Sequence, residues 1–389
     1  MKINKNTKIR IAAFYPNYFH IGGIAYAALS VVEAMQSKDV KVTMMGIASG
    51  ADLTKYFYRN AFPAWAKSFA YRFLSARQIK KFAEFRFLLS LKNSDFAYLW
   101  PGISLDTYKY LYVRKHKLIM ESVNTHQATS KAILDAEYTR LELTPTHGIT
   151  SEDATEETTK LELVDFVFSC SPNVTASLIA AKVPSSKILE TTYGLRESEI
   201  LQPDELAGRS YSTEITAIFV GTIGVRKAPH LILDYWCRSN VKGKLKLVGD
   251  IQPEVRHIIE PYLKRADIEH VPYVKNLRSI YKHADVFLLA SLEEGSPLVT
   301  YLALGAGLPC IVSPMGGGGV IEDGKEGFVI DPHDSQAWIE SLKKISNDVS
   351  MREMFSRNAH LKALQYVWSK VGCQRTQSLL TRLNETLSI

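Results

Sequence analysis

Cysteine is scarce in this chain: four in 389 residues, at positions 170, 237, 310 and 373. They are widely spaced and show no metal-ligand pattern, so no metal centre is expected and reduced, cytosolic thiols are. Long apolar runs are missing too. None approaches the roughly 20 residues of a membrane span. Residues 1–6 lead straight into a strand with no apolar leader, so no secretory signal is expected. Internal repeats and low-complexity stretches are absent. No nucleic-acid motif with interleaved aromatics stands out, although the formal net charge is +7 and the pI about 9.0. That charge leaves an anionic membrane surface, anionic small ligands or plain solubility open.

What is present is an alternation of short apolar strands with helix-length patterns. Predicted strands are 9–14, 40–45, 96–100, 118–121, 166–170 and 188–191, then 216–220, 245–248, 270–273, 286–290, 310–313 and 328–330. Helices between successive strands imply parallel sheets with crossover connections, an α/β fold. The length favours two domains. The polar stretch 196–212 is the expected linker, with the boundary near Ser210: a first domain over 1–209 and a second over 210–367.

The most informative segment runs from Asp285 to Asp331. An apolar strand is followed by a loop with the acidic pair Glu293-Glu294 and Gly295. A small-residue helix begins near Leu298 and stops at Gly307, before Pro309 opens the next strand. A carboxylate just past a strand's carboxyl end, beside free N–H groups at a helix start, suits a ligand carrying hydroxyls and negative charge, as a nucleotide sugar does.

Other segments each admit a bland and a functional reading. Gly22-Gly23 before a helix is a turn, or a set of N–H donors for phosphate or acceptor. Gly221-Thr222-Ile223-Gly224-Val225-Arg226-Lys227 follows a strand. Its cations are a solvated pair, or a bidentate fork and a point charge for phosphate oxygens. His126, after strand 118–121, is structural or an active-site group, and Glu121 is structural or an electrostatic partner. Ser171 or Asn173 is a helix N-cap. Tyr273-Val274 could meet a base edge through its backbone. Gly316-Gly317-Gly318-Gly319 is a flexible loop or a phosphate cradle. From Tyr56 to Lys92, aromatics interleave with Arg and Lys against a single acid, Glu84. Phe62, Trp65, Phe69 and Phe73 share one helical face, which either packs on the sheet or meets an anionic bilayer and a lipid-linked acceptor.

Glu294-Gly295-Ser296-Pro297-Leu298-Val299 and the closing Gly307-Leu308-Pro309 resemble the donor site of the family-four retaining glycosyltransferases. The resemblance covers most of the chain, most strongly residues 220–332. It implies the GT-B fold: two Rossmann-like domains whose parallel sheets face each other across a cleft, with the helix over 368–389 packing back on the first. It implies a nucleotide-diphosphate sugar as substrate, no cofactor and no metal. Arg226 and Lys227 would neutralise the leaving diphosphate, Glu294 would hold sugar hydroxyls, and His126 would face the sugar across the cleft. Gly22, Gly23, Gly221, Gly224, Tyr273, Gly295, Ser296, Pro297, Leu298 and Val299 would line the donor side. The acceptor would be a glycan or a lipid-linked one, in surface polysaccharide or glycolipid synthesis. The enzyme would be cytoplasmic or peripheral on the inner face of the membrane. Two departures stand out. Thr222 replaces the arginine that often follows the first glycine, so Arg226 would supply that charge. Leu302 replaces the second glutamate, the ribose holder, eight residues after Glu294. That loss keeps open a non-catalytic relative that binds a nucleotide or glycan or partners an active transferase, and a sugar-nucleotide epimerase of the same fold.

Overall fold

The structure is a computed structural model that describes residues 8–19, 22–49, 57–207, 212, 214–274 and 276–387. The first seven strands are β1 (Ile9–Phe19), β2 (Val40–Ser49), β3 (Tyr58–Asn60), β4 (Phe96–Leu99), β5 (Lys117–Ser122), β6 (Phe166–Ser169) and β7 (Ile188–Glu190). They form one sheet in the order β3-β2-β1-β4-β5-β6-β7. The second sheet has six: β8 (Ile215–Val220), β9 (Gly243–Val248), β10 (Ile268–Val271), β11 (Val286–Leu289), β12 (Cys310–Val312) and β13 (Gly327–Val329), in the order β10-β9-β8-β11-β12-β13. Every pairing is parallel. Central strands such as β4, β6 and β11 are buried at every residue, because crossover helices cover both faces. Each order reverses beside its first strand, which puts a crevice at the strands' carboxyl ends. Those two crevices face each other.

Several boundaries differ from the sequence expectation. β1 does not stop at Phe14; it runs to Phe19, with a register shift between Tyr15 and Tyr18. Pro16 has no N–H to give the ladder, so the strand bulges there and then resumes its pairing with β2. The edge strand β3 was not anticipated, and β10 begins at Ile268 rather than 270. The expected linker contains a short helix, Pro203–Ala207, and the boundary residue Ser210 lies outside the described residues.

The aromatic segment forms two helices, Ala64–Phe73 and Ala76–Ser90, broken at Leu74. Ser75 starts the second with a full capping box: its hydroxyl accepts from the Gln78 N–H, and the Gln78 side chain reaches back to the Ser75 N–H. Phe62 is buried ahead of the first helix, whereas Trp65 and Phe73 are exposed. The expected single aromatic face is therefore split. Tyr56 and the Phe69 side chain lie outside the described residues.

The helix Trp368–Leu387 packs against the helix Gly23–Ala34 of the first domain. The approach is close: a Cβ at Gly372 would overlap the Ala34 carbonyl. It delivers Arg375 into the first domain, where it donates to both Glu121 oxygens at 3.0 Å with both side chains fully buried. The Tyr193 hydroxyl donates to the same carboxylate at 2.9 Å, and the Tyr98 hydroxyl does so too. Glu121 is thus a structural anchor.

Candidate functional site

A cavity of about 870 Å³ opens between the two sheets. The first domain contributes the end of β5 and the loop after it, the helix starting at Gln127, and one face of the helix Ala76–Ser90. The second contributes the loops after β8 and β9, with Thr222, Gly224, Arg226, Lys227, Gln252 and Glu254, and the acidic loop after β11.

The β8 loop is built to bring its two cations to this opening. Gly221 has φ of 141°, which favours glycine, and the Lys227 side chain lies against it. The 3-10 turn Val225–Lys227 ends on Ala228 in the left-handed region, and Pro229 then starts the next helix. Lys227 pairs with Glu294. Arg226 lies 3.5 Å from both Glu293 and Glu294 and keeps 41% of its side chain exposed. With the Asn124 amide turned so that its oxygen faces Arg226, Arg226 Nη1 also donates across the cleft at 3.1 Å.

The two glutamates behave differently. Burial pushes the Glu294 carboxyl up, but Lys227 and Arg226 outweigh it and hold it below its ordinary range. For Glu293 burial wins, and its carboxyl is raised despite Arg226. Glu294 on Arg226 is in turn the main reason the guanidinium is held more basic than usual. Glu293 lines the cavity and reaches into the first domain, where it accepts from the Thr125 hydroxyl at 2.9 Å, the Thr125 N–H at 3.2 Å and the Ser130 hydroxyl at 3.2 Å. The result is a strip of two cations and two carboxylates across the domain boundary, in which Arg226 is partly exposed and Lys227 largely covered.

The remaining expected site residues fall elsewhere. His126 does not face the cleft. It is 3% exposed and caps the helix Gln127–Arg140 by accepting from the Ala128 N–H, while Nε2 lies 3.2 Å from the Thr158 hydroxyl. Burial lowers its pKa. Its neighbours Asn124 and Thr125 face the site in its stead.

Gly295 packs so tightly on the end of β5 that a Cβ would overlap the Val123 carbonyl. Ser296 bonds the buried Tyr301 hydroxyl at 2.6 Å, Pro297 starts the helix Leu298–Gly305, and the Val299 carbonyl accepts from Tyr281 at 3.0 Å. None of residues 295–299 lines the cavity in this arrangement, and neither do Gly22, Gly23, Gly221 or the exposed Tyr273. Gly22 and Gly23 have φ of 147° and 55° with open space around them. Ser171 caps the helix Pro172–Ala180, while Asn173 crosses the cleft to the Pro314 carbonyl at 2.9 Å. Gly318 and Gly319 turn through the left-handed region, and Gly319 sits against Pro172. Gly316 and Gly317 belong to the short helix Pro314–Gly317 and pack within the second domain, so only the end of the glycine run is an interdomain contact.

A second bridge lies deeper. Glu137 of the first domain accepts from or pairs with His230 at 2.7 Å and His333 at 3.4 Å, both of the second domain, as well as Arg140. Sequence reasoning passed over Glu137, Glu157, Thr125 and Ser130, and named Glu293 only as half of the acidic pair, with no role of its own. The first four carried no local signal; that of Glu293 was its place beside Glu294.

Residues 205–362 match the model of the family described as "Glycosyl transferases group 1". Among curated relatives, the chain is 27% identical over 177 residues to D-inositol 3-phosphate glycosyltransferase of Paenarthrobacter aurescens (strain TC1), covering 44% of this chain and 42% of the relative. It is 36% identical over 88 residues to UDP-Gal:alpha-D-GlcNAc-diphosphoundecaprenol alpha-1,3-galactosyltransferase of Escherichia coli, 22% of each chain. These matches span less than half of the relatives' own length. Among solved structures, sucrose-phosphate synthase from Thermosynechococcus elongatus superposes with a TM-score of 0.72 at 15% identity, over 97% of this chain and 100% of that one. Anabaena HepE in complex with UDP-glucose gives 0.70 at 12%, over 96% and 100%. The second domain carries the sequence of that family, and both domains together have the two-sheet GT-B fold of the solved glycosyltransferases.

Proposed function

We propose that this chain transfers a sugar, with retention of configuration, from a nucleoside-diphosphate sugar to a glycan or lipid-linked acceptor. The observation that carries this is the convergence of Arg226 and Lys227 on the cavity from the end of β8, at the crevice where such sheets bind ligands. Both are held in place by Glu293 and Glu294. The diphosphate would exchange with those carboxylates for the cations, Arg226 as a fork and Lys227 as a point charge, and no metal would be needed. Glu294, once released, would accept from sugar hydroxyls.

In the transfer the bond from the sugar's anomeric carbon to the β-phosphate oxygen breaks. The acceptor oxygen bonds on the same face, and its proton passes to the leaving diphosphate. Residues 295–299 lie behind the Val123 contact, so full donor binding would require the domains to part and reclose around it. UDP sugars are the first donors to test, because the Anabaena structure is a UDP-glucose complex and the Escherichia coli relative is named for UDP-Gal. Surface polysaccharide or glycolipid synthesis, at the cytoplasmic face of the membrane, is the setting this reading favours. UDP release from UDP-glucose and UDP-galactose, with and without EDTA, and the anomer of the product test it. Unchanged turnover in Arg226→Ala would refute the phosphate assignment.

A second reading rests on Leu302, which removes the ribose-holding carboxylate. A non-catalytic relative would bind a nucleotide sugar without releasing the nucleoside diphosphate in the presence of any acceptor.

A further inference from the structure

Glu293 divides its two oxygens between the two domains. Oε1 accepts from the Thr125 hydroxyl, the Thr125 N–H and the Ser130 hydroxyl of the first domain, whereas Oε2 faces Arg226 Nη1 of its own domain at 3.5 Å. The side chain is 1% exposed yet lines the cavity, as Arg226 does, so a ligand that meets Arg226 there also comes up against Glu293. The other titratable groups that act on it come from three elements. Glu294 adjoins it on the same loop and repels it. Glu157, on the helix Ser151–Leu163, also lines the cavity and is near enough for the two carboxylates to repel. The thiol of Cys170, at the end of β6, feels the Glu293 charge as well and stays neutral, its pKa pushed up chiefly by burial. Arg226 is the cation that balances Glu293, while Lys227 pairs with Glu294 instead.

We propose that Glu293 couples donor binding to protonation: it holds Arg226 while the site is empty, and it takes up a proton when a nucleoside-diphosphate sugar claims that guanidinium. This rests on the diphosphate site of the transferase reading. A diphosphate bound to Arg226 removes the counter-charge of Glu293 and sets new negative charge beside it. A buried carboxylate left unpaired is strongly disfavoured, so it either leaves its pocket or is neutralised. Leaving would break the three first-domain hydrogen bonds on Oε1. Neutralisation breaks none of them. The proton comes from solvent onto Oε2, the oxygen that Arg226 vacates, and the new O–H faces the diphosphate. No other covalent bond changes, and the proton returns to solvent when the nucleotide leaves. Burial already raises this carboxyl above its ordinary range with Arg226 in place, and loss of the cation moves it further the same way. Glu294 needs no proton, since the sugar hydroxyls it would accept from replace its cations. A group that gains a proton on binding makes affinity fall as pH rises, so the donor binds more tightly in acid.

The test is calorimetric titration of UDP-glucose, ADP-glucose and GDP-mannose into the metal-free full chain. All three carry the same diphosphate diester, which has no proton titrating between pH 6 and pH 8, so any proton that moves belongs to the protein. At pH 7 in PIPES, HEPES and imidazole, buffers of different ionisation heat, the binding heat should vary with the buffer as uptake of roughly 0.5–1 proton requires. Affinity should fall about three- to tenfold per pH unit between pH 6 and pH 8. Glu293→Gln, whose amide imitates the protonated acid, should bind with the same affinity at both pH values, at least as tightly as the parent at pH 8, and with no buffer dependence. Glu157→Gln removes the other raised carboxyl of the cavity and should keep the proton uptake of the parent. Heats that do not vary with buffer in the parent would overturn the inference and leave the diphosphate site standing. So would uptake that survives Glu293→Gln or vanishes in Glu157→Gln. Should Glu293→Gln fail to fold, the parent and Glu157→Gln decide by the same outcomes. Binding by Glu293→Gln alone would support the inference, the carboxylate charge then being what closes the site. No binding of any of the three by either protein at pH 6 would contradict the diphosphate site itself, and the inference with it.

Discussion

The Thr125 hydroxyl of the first domain donates to Glu293 of the second at 2.9 Å, and the Thr125 N–H and the Ser130 hydroxyl reach the same oxygen at 3.2 Å. One buried carboxylate oxygen therefore satisfies three donors of the opposite domain while its partner oxygen faces Arg226. Glu293→Ala should strand those donors and destabilise the chain by about 2–4 kcal/mol, whereas Glu293→Gln, which keeps an acceptor oxygen, should cost less. Chemical denaturation of the two variants checks the difference. Similar losses in both would show that the charge, not the hydrogen bonding, matters.

Gly295 has no room for a side chain because the Val123 carbonyl occupies that space. Gly295→Ala should push the domains apart or cost about 1–3 kcal/mol. Solution scattering distinguishes the two, since opening raises the radius of gyration with little change in melting temperature. An unchanged radius and an unchanged melting temperature would mean that the close approach is absent in solution.

Burial holds the Glu157 carboxyl up at about 7, against an ordinary 4.5. The folded state thus keeps a proton that the unfolded chain releases, so this group's contribution is present below pH 4.5 and lost as pH rises through about 7. The Glu157 carboxylate accepts from the Gln127 N–H at 2.6 Å, and a Gln could do the same. Glu157→Gln should match the parent at pH 5 and exceed it by on the order of 1–3 kcal/mol at pH 8. A parent-like pH profile in the variant would contradict this.

Glu137 titrates the other way. Burial would raise its carboxyl, but His230 and Arg140 outweigh it and bring it to about 2, from 4.5. Its contribution is present above pH 4.5 and is lost as pH falls toward 2. The parent should lose more stability between pH 5 and pH 3 than Glu137→Gln does, by on the order of 1–3 kcal/mol. Parallel acid profiles would show that this interdomain bridge contributes nothing.

The parts of this molecule that were legible in the sequence are those where local chemistry decides structure. Buried parallel strands read as unbroken apolar runs, as in Val286–Leu289, and Gly307 and Pro309 punctuated the helix between β11 and β12. The Gly221–Lys227 run was placed correctly at the end of β8 because a glycine-rich turn after a strand has few alternatives. What could not be read was direction across the cleft. His126 and Thr125 are adjacent, yet one caps a helix inward and the other crosses to Glu293. Which of Glu293 and Glu294 meets the first domain likewise depends on how two separately folded sheets dock. The first strand was expected to stop at residue 14, but pairing on both sides of a bulge at Pro16 keeps β1 going to Phe19. The Arg375–Glu121 pair joins residues 254 apart, a contact no local pattern announces.

The central claim is that Arg226 and Lys227 form a diphosphate site. It is tested most directly by calorimetric titration of UDP into the full chain in EDTA, beside Arg226→Ala and Lys227→Ala. The account predicts binding by the parent without metal and a loss of at least tenfold in each variant, about 1.4 kcal/mol or more. Binding of equal strength in all three proteins, or none in the parent to UDP, GDP, ADP or TDP, would contradict it.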